Sequence, residues 1–537
     1  MLTMKKRLLS MLLVFSMAAG CIVACGKKEG SQGDVSGEKV TLTVGVAQNS
    51  NISSYDDNAL TKYVEKSLNM DIKFVYFSSV DPGKQINLMC SAGEELPDVL
   101  WGFQSIDHYF MNDFGEDGFF IDLTDLIEEH AVNYKAQLEK LPEDEQKIIR
   151  EKGKNPSNGE FYGMPLYSAA DVPDELQLMT YINKTWLDAV GMEIPKTTDE
   201  LYNVLKAFKE KDPNGNGEAD EMPMLGQGLD AYVMNAFCYY NANNGYQVEK
   251  GKVSSVYNTD EYREGLKFLN KLCKEELFSS ISMTGTTQEV RSLITPGNDV
   301  AKVGIWCGHP HLTASQDTQI LDQYVALPAL EDATGKGGYT VLEPKTLLYC
   351  SFITSDCDNP EAAMRFLDFF YADETTTRAR YGEKGVDWEE GSGKSAFGTD
   401  STIKVLNPSS AIGNSMWGGN GNSFFTTENY LSIYDEVAGR EGEVNRLLKE
   451  SFDDMMEGKK PKNIVGHQVY TEDEYETRSE YADKLGTYVN ESKVKFISGL
   501  IDPNKDADWD AYVKTLKDMK LGTIVKIAQD VYTRLEK

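Results

Sequence analysis

The chain predicts an α/β protein built as two lobes, on three observations. Strand and helix patterns alternate from Val40 to Trp101, a second alternating section begins near Gly163, and 537 residues exceed what one hydrophobic core holds. Val40-Thr41-Leu42-Thr43-Val44-Gly45-Val46 alternates with the period of a strand, and Leu60–Leu68 follows with helical spacing. Asp71–Phe77 reads as a second strand, Gly83–Ala92 as a helix and Asp98–Trp101 as a third strand. This β-α-β-α-β order predicts a mostly parallel sheet with helices on both faces, and ligands bind such sheets beyond the carboxyl ends of the strands. In the second section Gly163–Tyr167 and Leu178–Ile182 are strand-like, and Trp186–Val190 and Thr198–Glu210 are helices. Val303–Trp306 and Leu347–Thr354 are further strands, Gly335–Gly338 is a loop by composition, and Pro360–Tyr371 is an amphipathic helix with Asn359 as N-cap. The last hundred residues are mainly helical, including Leu431–Asp454 and Trp509–Glu536.

Hydrophobic residues make up 41% of the chain and charged ones 26%, a globular balance. Against 85 Asp plus Glu stand 54 Lys plus Arg, a formal charge of −31. Nucleic acid is excluded as a partner, because phosphate binding needs a basic face. The same acidity attracts cations.

Residues 1–25 read as a bacterial export signal: Lys5, Lys6 and Arg7, the apolar run Leu8–Phe15, then small residues leading into cysteine. Ile22-Val23-Ala24-Cys25 looks like a lipobox, after which Cys25 is diacylated; Ala18-Ala19-Gly20-Cys21 is a poorer match. An uncleaved signal anchor would leave the same domain outside the same membrane. Residues 26–39, rich in Gly, Ser, Lys and Glu, form a flexible tether. Six other cysteines, Cys90, Cys238, Cys273, Cys307, Cys350 and Cys357, include no CxxC pair, so zinc spacing is absent. Buried free thiols are at least as expected as a disulfide.

Several segments together resemble bacterial extracellular solute-binding proteins of the sugar and oligosaccharide type, the lipoprotein receptors of ABC importers. They are Glu95–Trp101, Tyr162-Gly163-Met164-Pro165-Leu166-Tyr167 with Met179–Lys184, Pro360-Glu361-Ala362-Ala363-Met364-Arg365-Phe366-Leu367, and the C-terminal Phe496–Gly499 and Trp509–Val513. They are spread over nearly the whole chain after the lipobox. The resemblance implies a periplasmic-binding-protein-like fold, two α/β lobes joined by crossing strands that close over ligand, with closure signalling to the permease. It places one lobe at 39–165 plus 328–372 and the other at 166–327 plus 373–537. It also implies a monomeric receptor, not an enzyme, that delivers a carbohydrate to ABC permease subunits. The alternatives are a cell-surface glycoside hydrolase or lyase and a solute receptor for a sensor kinase.

Asp212-Pro213-Asn214-Gly215-Asn216-Gly217-Glu218-Ala219-Asp220-Glu221 reads as a structural calcium loop, with oxygen ligands at alternate positions and Gly217 at the sharp turn. The ligands would be the side chains of Asp212, Asn214 and Asn216, the carbonyl of Glu218, and the carboxylates of Asp220 and Glu221. Pro223 stands at the twelfth position and supplies no carboxylate, so Asp220 and Glu221 must close the site early, as the resemblance to alginate-type receptors implies. The bland reading is an Asn/Gly turn between helices.

Sugar sites combine aromatic walls with a few polar groups. The candidates are therefore Trp101 and Gln104 after the third strand, Tyr167 and Ser168 at the first crossing, Trp306 and His309 after another strand, and Asn414, Trp417 and Asn420 in a Gly/Asn-rich loop. For each aromatic the competing role is core packing, the reading that suits Trp186, Trp388 and Trp509 better. His309-x-His311 is weak as a metal pair, and Gly393-Lys394-Ser395 is no phosphate loop because Trp388 stands where the first glycine is needed. HExxH and GxSxG are absent.

Overall fold

The computed structural model describes residues 39–535 apart from 50–51, 80, 169–177, 243, 297–299, 314–319, 341–345, 408–412, 420, 434–439, 462, 467 and 469. Lys39–Lys537 forms one compact unit. In chain order its strands are β1 (Val40–Ala47), β2 (Met70–Phe77), β3 (Val99–Trp101), β4 (Met164–Ser168), β5 (Thr180–Asn183), β6 (Met222–Met224) and β7 (Tyr246–Glu249). They continue as β8 (Lys252–Ser255), β9 (Val303–Cys307), β10 (Tyr324–Ala326), β11 (Thr346–Ile353), β12 (Trp388–Glu390), β13 (Ile403–Val405) and β14 (Ser423–Phe425).

Alternation along β1 buries Leu42, Val44 and Val46 against the helices. Gly45 is needed between them: a Cβ there would stand 2.7 Å from Leu100 and 2.8 Å from Phe77. The helices start where their caps demand. Thr197 and Glu200 form a reciprocal capping box for Thr198–Glu210, and the Asn359 side chain accepts from the Ala362 N–H at the start of Pro360–Phe369.

The described strands form one sheet of six in the order β14-β4-β11-β3-β1-β2, one of four in the order β10-β5-β9-β6, and the two-stranded pairs β12-β13 and β7-β8. The expected mostly parallel arrangement is corrected to a mixed one. β1, β2 and β3 are parallel, but β11 runs antiparallel to β3 and β4, and in the smaller sheet only β6 and β9 are parallel. The reason is the crossing between lobes. β11 enters the first sheet from the second, so it begins at the edge where β1, β3 and β4 end.

Two corrections concern helices. Trp509–Glu536 is two helices, Asp506–Asp518 and Leu521–Leu535, reversed at Lys520 with φ +68°. The reversal lets Trp509, Tyr512, Leu516 and Ile524 reach one core, a tertiary gain that outweighs the helical spacing running through the junction. Leu431–Asp454 is likewise interrupted, giving Thr427–Leu431 and Arg440–Glu457. Ser432 ends the first of these, because its carbonyl accepts from the Thr402 N–H and its hydroxyl lies 2.8 Å from that of Thr402.

The cores follow the sheets. Phe77, Leu100, Trp101, Phe352, Phe366 and Trp417 belong to the first, and Ile182, Trp186, Phe208, Tyr262, Ile305 and Phe496 to the second. Two pieces depart from the boundaries that the resemblance implies. Leu330 packs in the second core, and Trp417 and Phe424 pack in the first, because β14 pairs with β4. The six described cysteines are all free. Burial pushes the thiols of Cys238, Cys307 and Cys350 up to about 12, which leaves them unreactive.

Candidate functional site

β1, β3, β4 and β14 all end at one edge of the larger sheet, where β11 begins. Trp101, Gly102, Ser168 and Thr426 close or follow these strands, at the strand ends where sheets of this kind bind ligands. The smaller sheet brings the start of β5 together with the ends of β9 and β10.

The tryptophan candidates are buried in this conformation. Trp417 and Trp306 have no exposed surface and Trp101 is 3% exposed. Trp101 and Trp417 lie edge to face, 5.2 Å apart at 83°, and Gly421 packs onto the Trp101 indole where a Cβ would clash. Trp306 lies 4.4 Å from Tyr181 in a separate core cluster. In this conformation Trp306 and Trp417 offer no face to a ligand. Loop glycines and strand ends flag aromatic sites in a sequence, but they equally mark places where two elements close on a ring. Gln104 and His309 are half-buried, and Asn414 is exposed, its carbonyl accepting from the Ala59 N–H. Tyr167 and Ser168 are buried: the Tyr167 hydroxyl donates to the Glu145 carboxylate, and the Ser168 hydroxyl lies 3.1 Å from that of Tyr430. Asn420 and Cys25 lie outside the described residues.

The 212–221 loop folds as its spacing predicts. Asp212 Oδ2 accepts from the Gly217 N–H, Asn214 Oδ1 from the Asn216 N–H and Asn216 Oδ1 from the Glu218 N–H. Gly215 and Gly217 take φ of +69° and +79°, which a side chain would strain. Asp220 accepts from both amides, and its Oδ2 lies 2.7 Å from Lys302 Nζ as an ion pair that departs from hydrogen-bond geometry. The Lys302 partner first, and the two amides after it, lower the Asp220 carboxyl below its ordinary value. Glu221 shifts the other way, raised by burial and then by Asp212 and Asp220, and its buried Oε1 has no hydrogen-bond partner. Among the described residues no three His, Cys, Asp or Glu side chains converge as a metal centre. The donor set nevertheless fits a hard cation: it is all oxygen, it includes an orphaned buried carboxylate atom, and Asp212 and Asp220 repel the Glu221 carboxylate while Lys302 pairs only with Asp220.

A second carboxylate sits under strain of charge. Asp454 faces a pocket of about 50 Å³ with Ser451, Tyr232 and Thr180, at the start of β5. Burial, with Glu450, Glu457 and Asp453 adding repulsion, pushes its carboxyl up to about 6. The folded protein therefore keeps a proton that the unfolded chain releases near pH 4, and stability falls as pH rises from there to about 6. Asp454→Asn is expected to melt above the wild type at pH 7.5, and the gap to close as pH falls from 6 toward 4. Melting curves across that range check it, and a constant gap would refute the assignment.

The two larger sheets, each with its own helix-covered core, define a two-lobe α/β fold. Residues 49–377 match the bacterial extracellular solute-binding protein family, and the chain belongs to that family. It is 26% identical to the fructooligosaccharide ABC transporter substrate-binding protein FusA of Streptococcus pneumoniae, over 98% of each chain. The solved structure of S. pneumoniae FusA in complex with kestose superimposes with a TM-score of 0.73 at 23% identity, covering 92% of this chain and 99% of that one. An EF-hand mutant of S. pneumoniae FusA, solved with fructo-nystose, gives the same values. The alginate-binding protein AlgQ2, solved without calcium ion, follows at a TM-score of 0.63 and 21% identity, covering 92% and 98%. Among the described residues no helix is long and apolar enough to cross a membrane.

Proposed function

We propose that the protein is a surface lipoprotein, anchored through Cys25, that captures an oligosaccharide between its lobes and passes it to the membrane subunits of an ABC importer. The observation that carries this reading is the likeness to a fructooligosaccharide-binding receptor along 98% of both chains. The lobes are 39–168 with 346–372 and 413–425, and 178–340 with 440–535, and ligand selects the state in which they close. The family is one of binding proteins, which supports a receptor that releases its ligand unchanged.

The full chain, purified in detergent, tests this by titration calorimetry against fructo-, gluco- and galacto-oligosaccharides. Saturable binding with the ligand recovered intact is expected. Binding to no oligosaccharide, or consumption of the bound one, overturns the reading.

Calcium in the 212–221 loop belongs to the same proposal. Asp212, Asn214, Asn216, the Glu218 carbonyl, Asp220 and Glu221 would hold it, and the ion would supply the positive charge that Lys302 alone provides to Asp220. The EF-hand of FusA supports the assignment. Calcium is expected to raise the melting temperature and chelator to lower it, a stabilisation of about 4 kcal/mol at a thousandfold excess over Kd. Asp212→Ala is expected to abolish the response; an unchanged calcium shift in that variant would place the ion elsewhere.

A further inference from the structure

A groove of about 710 Å³ opens beside the β4–β14 end of the larger sheet, between those strands, the helix Asp373–Tyr381 and the β12–β13 hairpin. Its volume lies in the range of small-molecule sites, roughly 300–1,000 Å³. Edges of Tyr167, Trp388, Phe424 and Phe425 form its apolar part. The polar part is rich in hydrogen-bond acceptors, beside the amides of Gln137 and Asn429 and two lysines. Five carboxylates line it, Glu145, Asp373, Glu374, Glu390 and Glu428, and carboxylates only accept. The hydroxyls of Thr376, Thr377 and Thr426 spend their protons within the protein, on the Phe370 and Asp373 carbonyls and on Asn429 Oδ1, leaving oxygen lone pairs for an incoming group. The two lysines of the groove are already matched: Lys140 Nζ lies 3.7 Å from Asp373 Oδ2, and Lys384 Nζ 2.7 Å from Glu390 Oε1.

We infer that this groove is a carbohydrate subsite, and that it selects neutral glycans over uronate-bearing ones; the inference rests on the receptor reading above. An acceptor-rich wall pairs with a ligand rich in donors, and every free hydroxyl of a neutral sugar is one. A uronate brings two more acceptor oxygens and a negative charge into a groove whose five carboxylates outnumber the cations paired with them, Lys140, Lys384 and the Arg378 that binds Glu374, so repulsion and lost hydration oppose it. The apolar edges at the base suit the C–H faces of pyranose or furanose rings. The carboxylates and threonines come from 145 to 428 in the sequence, assembled by the parallel pairing of β14 with β4 and by the hairpin folding over it.

Calorimetry on the full chain in detergent, with neutral fructo-oligosaccharide and with oligogalacturonate, tests this in the wild type and in two variants whose folding is confirmed by circular dichroism. The wild type is expected to bind the neutral ligand at least a hundredfold more tightly. Thr377→Trp, which fills the groove, is expected to weaken neutral binding at least tenfold. Glu428→Lys, at an exposed rim position, is expected to improve uronate binding at least tenfold. Wild type that binds neither ligand, nor any other glycan, overturns the receptor reading itself. Neutral binding untouched by Thr377→Trp, with uronate binding untouched by Glu428→Lys, overturns the groove alone. A wild type that prefers oligogalacturonate overturns the neutral class.

Discussion

Trp417→Ala is expected to destabilise the first lobe by about 3–5 kcal/mol, the range for truncating a large buried aromatic. The indole has no exposed surface and sits among Phe74 at 5.2 Å, Trp101 at 5.2 Å and Phe370 at 5.3 Å, with Tyr55 at 6.0 Å. Its Nε1 donates to Thr61 Oγ1 at 2.9 Å, and Thr61 in turn donates to the Tyr55 carbonyl at 2.6 Å. Asn58 Nδ2 donates to the Met416 carbonyl at 3.0 Å, so the same loop also secures the N-cap of the helix Ala59–Leu68. Alanine therefore leaves a cavity ringed by aromatics and strips a buried hydroxyl of one partner. Urea unfolding should show the loss, with the glycan affinity of the folded protein unchanged. An intact urea midpoint combined with weakened glycan binding would instead return Trp417 to the ligand site.

Asp230→Ala is expected to cost on the order of 3–5 kcal/mol, because it abandons a charged partner inside the second lobe. Lys493 Nζ lies 2.5 Å from Asp230 Oδ2, both side chains are 15% exposed, and the ammonium stands 5.8 Å from the Tyr240 ring. The pair joins the helix Leu229–Met234 to the 27-residue helix Glu472–Ser498, far apart in sequence. Desolvation makes the intact pair a weak contributor but makes its half very unfavourable. The double replacement Asp230→Leu with Lys493→Met should therefore recover most of the loss. Equal destabilisation by the single and the double replacement, measured as urea midpoints, would show that the charge is well solvated after all.

How much of the molecule was legible depended on how local the cause was. Thr198–Glu210 and the Asn359 N-cap were read with their true limits, because helical spacing and a capping side chain act within a few residues. The 212–221 loop was legible for the same reason: its Asx-type bonds run between residues two to five apart. The break at Lys520 was not, since nothing in Met519-Lys520-Leu521 forbids a helix and only packing on the second core demands the turn. The burial of the tryptophan candidates was not legible either. Trp101 and Trp417 carry the loop context of a ligand site, yet each is the wall against which the other is buried.

By itself the sequence determined the α/β class, the oxygen-donor loop and the family, because each of these rests on composition, short-range periodicity or a contiguous motif. Only the tertiary structure decided that β11 runs against its neighbours, that β14 returns to the first sheet, and that Glu145, Trp388 and Glu428 share one groove. Those outcomes depend on which strand pairs with which across hundreds of residues. The choice is settled by burying complementary apolar faces, and no local stretch of chain encodes it.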